Sequence, residues 1–282
     1  MLILLPPSET KRDGGEFPAL SEGGLEALSF AGLNPIRKKV AAALVSLSRK
    51  PAEALEVLKL SSKQSNEVTR NREVLTSPGM PAIDRYTGVL YDGLAASNLP
   101  DAARAFLRDN VVIQSALLGP VGALDPIPAY RLSFDSRLPK LAAGTLKKVW
   151  ADAGANALAG RIAGGFESAE SSGAQLVLDL RSEGYSALAP VAPAPETVYL
   201  RVVTKGENGQ LKALNHFNKK GKGEFVRALA KNAAVTSSIS TVDDLIAWAS
   251  TLGLALERGV EATADWPAEL NLVVSGTVAK LC

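Results

Sequence analysis

Short apolar segments, each ended by proline, glycine or charged residues, recur along the chain and predict buried β-strands. The first covers residues 1–5. It is followed directly by Pro6 and Pro7, which cannot both take part in a β ladder. Residues 111–118 fit a second strand, or a strand followed by a turn and a helix, and residues 176–180 fit a third.

Alternating apolar and polar residues predict a β-hairpin late in the chain, with strands at residues 198–204 and 211–217 around two glycines. Helical periodicity, N-cap residues and prolines at first turns predict helices elsewhere. These cover residues 35–47, 51–60, 101–109 and 146–158, the segment after Gly223 and the segment after Thr241. Residues 61–72 are expected to be partly helical, whereas residues 86–94 mix strand-forming residues with two glycines and fit no single state.

This alternation of strands and helices predicts a mixed α/β (α+β) fold with a central mixed sheet flanked by helices. A Pro-Ala segment at residues 190–195 does not separate two compositionally different halves, so we expect one domain over residues 1–282. The hydrophobic fraction of 46% and the charged fraction of 21% are those of a soluble globular protein.

The net charge of +2 predicts no partner by itself, so any affinity for anions must come from local clusters of basic residues. One histidine and one cysteine, Cys282, provide neither a disulfide framework nor a zinc ligand set, and we expect no metal site and no cofactor. No apolar run approaches the roughly 20 residues that a membrane span needs. No membrane association is therefore expected, and the single cysteine makes a reducing interior the natural compartment.

The most informative cluster is His216-Phe217-Asn218-Lys219-Lys220-Gly221-Lys222-Gly223, placed between an expected strand and an expected helix. Backbone amides, a helix N-terminus and mobile ammonium groups at one junction favour phosphate binding. The sequence Gly221-Lys222-Gly223 also loosely fits the turn of a helix-hairpin-helix DNA-binding element, although a preceding strand argues against it. An ordinary solvated basic helix face is the competing interpretation.

Other polar side chains follow expected strands, where ligand sites are common. Each also has a structural interpretation: packing and a surface ion pair for Tyr130 and Arg131, a core tyrosine for Tyr185, and a hairpin cap for His216. The chain contains no Walker A motif, dinucleotide fingerprint or nucleophile elbow, so the residues alone define no reaction.

Several of these segments, in this order, resemble the YaaA family of bacterial peroxide-stress proteins. The matching segments are residues 1–8, 86–88, 117–126, 128–132, the Trp150 helix, 178–185 and 216–223. The resemblance implies a single-domain mixed α/β fold around a basic cleft, with a helix-hairpin-helix-like element. It also implies a cytoplasmic role in hydrogen peroxide stress, through DNA binding, lower free iron and less oxidative DNA damage. No reaction is implied.

The chain departs from the family pattern Ser-Pro-x-Lys-Thr after the first strand, because Glu9 occupies the lysine position. Lys11, two residues later, is expected to supply the charge instead, since its stem is long and flexible. If it does not, the cleft is less positive than in other members.

The leading hypothesis is a monomer that binds DNA nonspecifically through a basic cleft. The phosphate contacts would be Lys11, Arg131, Lys219, Lys220 and Lys222, and the cleft would be lined by Thr10, Tyr86, Thr87, Tyr130, Ser182, Tyr185 and Asn218. The alternative is an enzyme acting on a nucleotide or another phosphorylated small molecule, with Glu183 and His216 as acid/base residues. Direct iron binding is disfavoured by the poor set of ligands.

Overall fold

The computed structural model describes residues 1–164, 175–205, 210–213 and 215–274, without the side chains of residues 211, 213 and 215–217. The strands are β1 (Leu2–Leu5), β2 (Met80–Pro81), β3 (Val111–Ser115), β4 (Gly119–Gly122), β5 (Pro126–Ile127), β6 (Val177–Asp179), β7 (Thr197–Lys205), β8 (Leu211–Ala213), β9 (Ala255–Arg258) and β10 (Ala268–Val273). The helices are α1 (Asn34–Ser48), α2 (Pro51–Val57), α3 (Ser65–Arg72), α4 (Ala82–Arg85), α5 (Val89–Leu94), α6 (Asp101–Asn110), α7 (Leu146–Gly164), α8 (Glu183–Ser186), α9 (Asn215–Lys231), α10 (Ala233–Thr236) and α11 (Val242–Thr251).

A central mixed sheet has the strand order β4-β3-β1-β6-β7-β10-β9, and β8 pairs with the end of β7. Neighbours among β3, β1, β6, β7 and β10 are parallel, whereas β4, β8 and β9 run antiparallel to their neighbours. A small antiparallel pair, β2 and β5, lies outside this sheet. The predicted fold class, a mixed sheet flanked by helices, is therefore confirmed.

Strand β1 lies in the interior of the sheet, and its apolar residues account for that position. Ile3 and Leu5 enter the larger hydrophobic core, whereas Leu2 and Leu4 enter a smaller core that includes Leu158 of α7. All four side chains are almost completely buried. Successive residues of a strand point to opposite faces, so a strand covered on both faces is apolar throughout.

The predicted strand-to-helix junction within the lysine-rich segment is wrong, because the helix begins before that segment. Strand β8 ends at Ala213 and α9 begins at Asn215, so residues 216–223 lie within a helix. Gly221 and Gly223 therefore form no hairpin turn, and the helix-hairpin-helix interpretation of this segment is not supported. The glycines have a packing role: a Cβ atom at Gly223 would overlap the carbonyl oxygen of Leu90 in α5. A glycine here lets the two helices cross closely.

The other local predictions are mostly confirmed. The hairpin pairs β7 with β8 antiparallel, and Thr241 caps α11 with its side chain. The undecided residues 86–94 form α5 after Gly88, whose φ of +95° requires a glycine. Strands β2, β4, β5, β9 and β10 were not predicted. The organisation of residues 1–282 as one domain stays a prediction.

Candidate anion-binding site

The candidate site lies beyond the carboxyl ends of β1 and β6. After β1 the chain continues to β3 on one side, and it later returns to place β6 on the other side of β1. From β1 the strand order therefore continues in one direction across the sheet, and from its neighbour β6 it continues in the opposite direction. In open α/β sheets, ligands bind in the crevice outside such a point. The amide of Leu180 donates to the carbonyl of Leu4 at 2.9 Å, which keeps the two strand ends together.

Lys11, in the loop after β1, has a buried ammonium group with only 7% of the residue exposed. Its Nζ donates to the carbonyls of Ser8 at 2.8 Å and Glu9 at 3.2 Å. It lies 4.1 Å from the ring centroid of Tyr130 and 5.1 Å from that of Tyr86. Burial, and next the charge of nearby Arg131, hold the pKa of Lys11 well below its usual value. The side chain braces its own loop and faces tyrosine rings.

The two tyrosines below Lys11 belong to a buried hydroxyl network. Tyr86 and Tyr130 share a hydrogen bond of 2.8 Å, and Tyr130 shares another of 2.7 Å with Ser115 at the end of β3. Ser115 Oγ also accepts from the amides of Leu117 and Leu118. Burial raises the pKa of both tyrosines, so both stay neutral. Because both rings are almost fully buried, they form the floor of the site and present no open stacking surface.

Arg85 fixes the outer part of the same loop. Its buried guanidinium donates to four carbonyl oxygens, including those of Arg12 at 2.6 Å and Gly14 at 2.8 Å. The hydroxyl group of Thr87 also donates a hydrogen bond to that of Thr10 at 2.9 Å. The loop that carries Lys11 is therefore held on several sides.

Arg131 lies beside Lys11 and is mostly enclosed, with 13% of its side chain exposed. Asn71 holds its backbone through two hydrogen bonds of 2.7 and 2.8 Å. Its Nη2 pairs with Glu9 at 2.7 Å, but its buried Nη1 has no hydrogen-bond partner. Tyr185 lies within electrostatic range of both Arg131 and Glu9. Burial raises the pKa of Tyr185 to about 12.

The β6 side of the site contains Lys222 of α9. Its Nζ donates to the carbonyl of Leu180 at 3.0 Å and lies 5.2 Å from the ring centroid of Tyr199. Burial lowers the pKa of Lys222 to about 8, although the nearby carboxylate of Asp179 opposes this shift. Asn218, one helical turn earlier, has a buried Oδ1 without a hydrogen-bond partner.

The remaining predicted site residues lie at or near the surface. Lys219 is exposed, and Lys220 pairs with Glu224 at 3.5 Å. Ser182 precedes α8 and is exposed, whereas Glu183 pairs with Arg201 at 3.5 Å. The side chain of His216 lies outside the described residues, so its proposed partnership with Glu183 stays a prediction.

An ion pair that the sequence analysis did not predict supports the β6 loop. Arg181 contacts Asp179 through Nε at 2.9 Å and Nη2 at 2.7 Å, and both side chains are buried. Arg181 also donates to the carbonyl of Ala189. The spacing of two residues was a usable signal, because residues i and i+2 of an extended segment share a face. Ser115 and Arg85 carried no comparable signal.

Comparison with known proteins identifies the family. The sequence profile of the family described as Peroxide stress protein YaaA matches residues 1–257 of this chain. The chain belongs to the YaaA family. It is 40% identical over 260 residues to a UPF0246 protein of Corynebacterium glutamicum, which covers 92% of this chain and 95% of that protein. A UPF0246 protein of Streptomyces coelicolor is 36% identical over 277 residues, covering 97% and 98%.

Two further features bear on the site of this YaaA-family protein. Of the helices in the described part of the chain, none combines the length and apolarity needed to cross a membrane. Within residues 1–164, 175–205, 210–213 and 215–274, no group of three or more histidine, cysteine, aspartate or glutamate side chains is arranged to hold a metal ion.

Proposed function

We propose that this YaaA-family protein is a cytoplasmic monomer that binds DNA without reading its sequence and limits iron-dependent oxidative damage. The supporting observation is that basic residues from three separate segments lie near the carboxyl ends of two neighbouring parallel strands, β1 and β6. Lys11 follows β1, Arg131 lies beside it, and Lys222 reaches the end of β6. Their positive potential at the carboxyl edge of the sheet favours phosphate groups, and the direct contacts are expected from the less buried Arg131, Lys219 and Lys220.

The expected phosphate contacts are fewer than the five predicted from sequence. Lys11 and Lys222 are buried, whereas Arg131, Lys219 and Lys220 keep part of their cationic groups at or near the surface. Each neutralised phosphate adds about 0.9 to the magnitude of the slope of log K against log salt concentration. Three contacts therefore predict a slope of about −2.7.

A salt series on a mixed-sequence duplex tests this proposal. We expect binding at low salt, a slope near that value, and equal affinity for duplexes of unrelated sequence. Lys147→Gln, which removes an exposed charge on α7, serves as the control and should leave the slope unchanged. A slope near zero, or no binding at low ionic strength, would contradict DNA binding.

Protection from iron-dependent damage has its own test. Supercoiled plasmid exposed to ferrous iron and hydrogen peroxide should be nicked less in the presence of the protein. Metal analysis of the purified protein should find no stoichiometric iron, since a poor ligand set favours an indirect effect on iron. Equal nicking with and without the protein would remove this part of the proposal.

A second candidate is an enzyme that acts on a nucleotide or another phosphorylated small molecule. The observation that favours it is the enclosure of Lys11 above the hydroxyl network of Tyr86, Tyr130 and Ser115. A duplex cannot reach such groups, whereas a small ligand can enter a crevice lined by perturbed titratable residues. Incubation with a panel of nucleotides, followed by chromatography, tests it. Turnover that is lost in Tyr130→Phe would favour the enzyme.

A further inference from the structure

Arg131 has an unused hydrogen-bonding edge. Its Nη1 atom is buried and has no partner, while Nη2 meets the Oε2 atom of Glu9 at 2.7 Å. A buried guanidinium nitrogen without an acceptor is costly, because it has lost water and gained no protein partner. The planar guanidinium group suits an oxyanion that accepts from two nitrogens at once. Glu9 satisfies one of these nitrogens.

Among the carboxylates near Arg131, Glu9 is the one placed to be displaced by a ligand. Arg131 lies close enough to Lys11 to lower its pKa, so two cations share this region. The nearby Arg70 is already compensated by Glu67 at 2.6 Å and by Asp13 at 2.7 Å. Among the described residues, Glu9 is the carboxylate that pairs with Arg131, and 64% of its side chain is exposed. Three carboxylates thus lie beside three cations, so an anionic ligand would replace Glu9 at Arg131 rather than fill a charge deficit.

We propose that Arg131 binds a single phosphate group and that Glu9 occupies this position when no ligand is bound. This inference rests on the proposed function, and it assigns Glu9 as the residue that limits the affinity for phosphate. A phosphate offers enough oxygens to accept from both Nη1 and Nη2, whereas Glu9 serves Nη2 alone. The ligand and the Glu9 carboxylate therefore compete for Arg131.

Release of Glu9 requires little rearrangement. The loop backbone is held independently, because Lys11 Nζ binds the carbonyls of Ser8 and Glu9. The carboxylate can rotate into water, where most of its side chain already lies. Partly exposed ion pairs contribute little net stability, so the competition should weaken phosphate binding only about fivefold.

The test compares Glu9→Gln with Asp13→Asn. Asp13 lies in the same loop, carries the same charge and also pairs with an arginine, so it controls for a general gain in positive potential. The probes are inorganic phosphate, against sodium chloride of equal ionic strength, and a mixed-sequence duplex. Glu9→Gln should bind at least one probe about fivefold more tightly than the wild type, and Asp13→Asn should gain less than about twofold.

The same change in an Arg131→Gln background completes a double-mutant cycle. There, Glu9→Gln should have no effect on phosphate binding. Arg131→Lys keeps the charge without the second nitrogen and should recover only part of the affinity. Thermal unfolding and circular dichroism verify that each variant is folded.

The inference is overturned if Glu9→Gln and Asp13→Asn change affinity equally, or if the gain from Glu9→Gln persists without Arg131. Failure of the proposed function looks different. If inorganic phosphate binds with the expected dependence on Glu9 while the duplex does not bind, the phosphate site at Arg131 is supported and the proposed DNA binding is contradicted. If neither probe binds the wild type or Glu9→Gln, both proposals fail.

Discussion

The ammonium group of Lys11 lies 4.1 Å from the centroid of the Tyr130 ring, within the buried interior of the site. A desolvated cation over an aromatic face gains about 2 kcal/mol. This contact joins the loop after β1 to the hydroxyl network around Ser115. The lysine therefore contributes to the architecture of the site, and its charge faces rings and carbonyls.

This placement predicts how lysine substitutions affect DNA binding. Lys11→Met should leave the salt slope for a mixed-sequence duplex unchanged. The combined substitution of Lys219 and Lys220 by glutamine should reduce the magnitude of the slope by about 1.8, because two phosphate contacts are lost. Fluorescence anisotropy over a range of salt concentrations measures both. A smaller slope in Lys11→Met would show that this lysine does reach a phosphate.

Lys222 predicts a pH-dependent contribution to stability. Its folded-state pKa of about 8 lies below the usual 10.5, so between these values the unfolded chain binds more protons than the native protein. Stability should therefore rise with pH through this window. Between pH 7 and pH 9.5 the wild type should gain about 2 kcal/mol relative to Lys222→Met.

Urea unfolding of both proteins at the two pH values measures this difference. Other groups that titrate in the window cancel, because they are common to both proteins. A wild-type gain no larger than that of Lys222→Met would mean that burial does not perturb the lysine.

The buried pair of Asp179 and Arg181 predicts a strong loss of stability when one partner is removed. Asp179→Ala leaves the guanidinium of Arg181 buried without its carboxylate, which should cost about 3–5 kcal/mol. Glu183→Ala removes an exposed carboxylate that pairs with Arg201 at 3.5 Å, and it should cost less than about 1 kcal/mol. Denaturant unfolding compares the two. Equal small losses would contradict the structural role of the buried pair.

Two helical glycines should respond in opposite directions to alanine. Gly223→Ala places a Cβ atom against the carbonyl of Leu90, so the crossing of α9 and α5 must open, at a cost of about 3 kcal/mol or more. Gly160 in α7 has open space where a Cβ atom would lie, and Gly160→Ala should stabilise the protein by about 1 kcal/mol. Thermal unfolding measures both. A stable Gly223→Ala variant would show that the crossing is not tight.

The sequence predicts most of the sheet because β1, β3, β6 and β7 are apolar segments with clear boundaries. The predicted strand at β8 is too long because alternation continues past the point where α9 begins. The glycines of α9 resemble turn residues in the sequence, although tertiary contacts explain them: Gly223 lies against α5 and Gly221 against Val202 of β7. Such close approaches between distant segments leave no local pattern.

The candidate site is predicted in part. Polar loops after buried strands direct attention to the regions of Lys11 and Ser182, and the parallel pairing of β1 and β6 brings the ends of these strands to one edge of the sheet. Burial is not predictable: nothing near Lys11 or Lys222 in the sequence indicates that their ammonium groups would be buried close to tyrosine rings. The pairing of Glu9 with Arg131 joins residues far apart in the chain, and only the folded arrangement reveals it.

The interior position of β1 has a consequence for how the chain reaches its folded state. The strand is synthesised before both of its parallel neighbours, Val111–Ser115 and Val177–Asp179. Until the second of these leaves the ribosome, one edge of an entirely apolar strand has no native partner. Sheets built from such long-range pairings form slowly and expose unpaired edges meanwhile. We therefore expect the centre of this sheet to form late, after β6 has been synthesised.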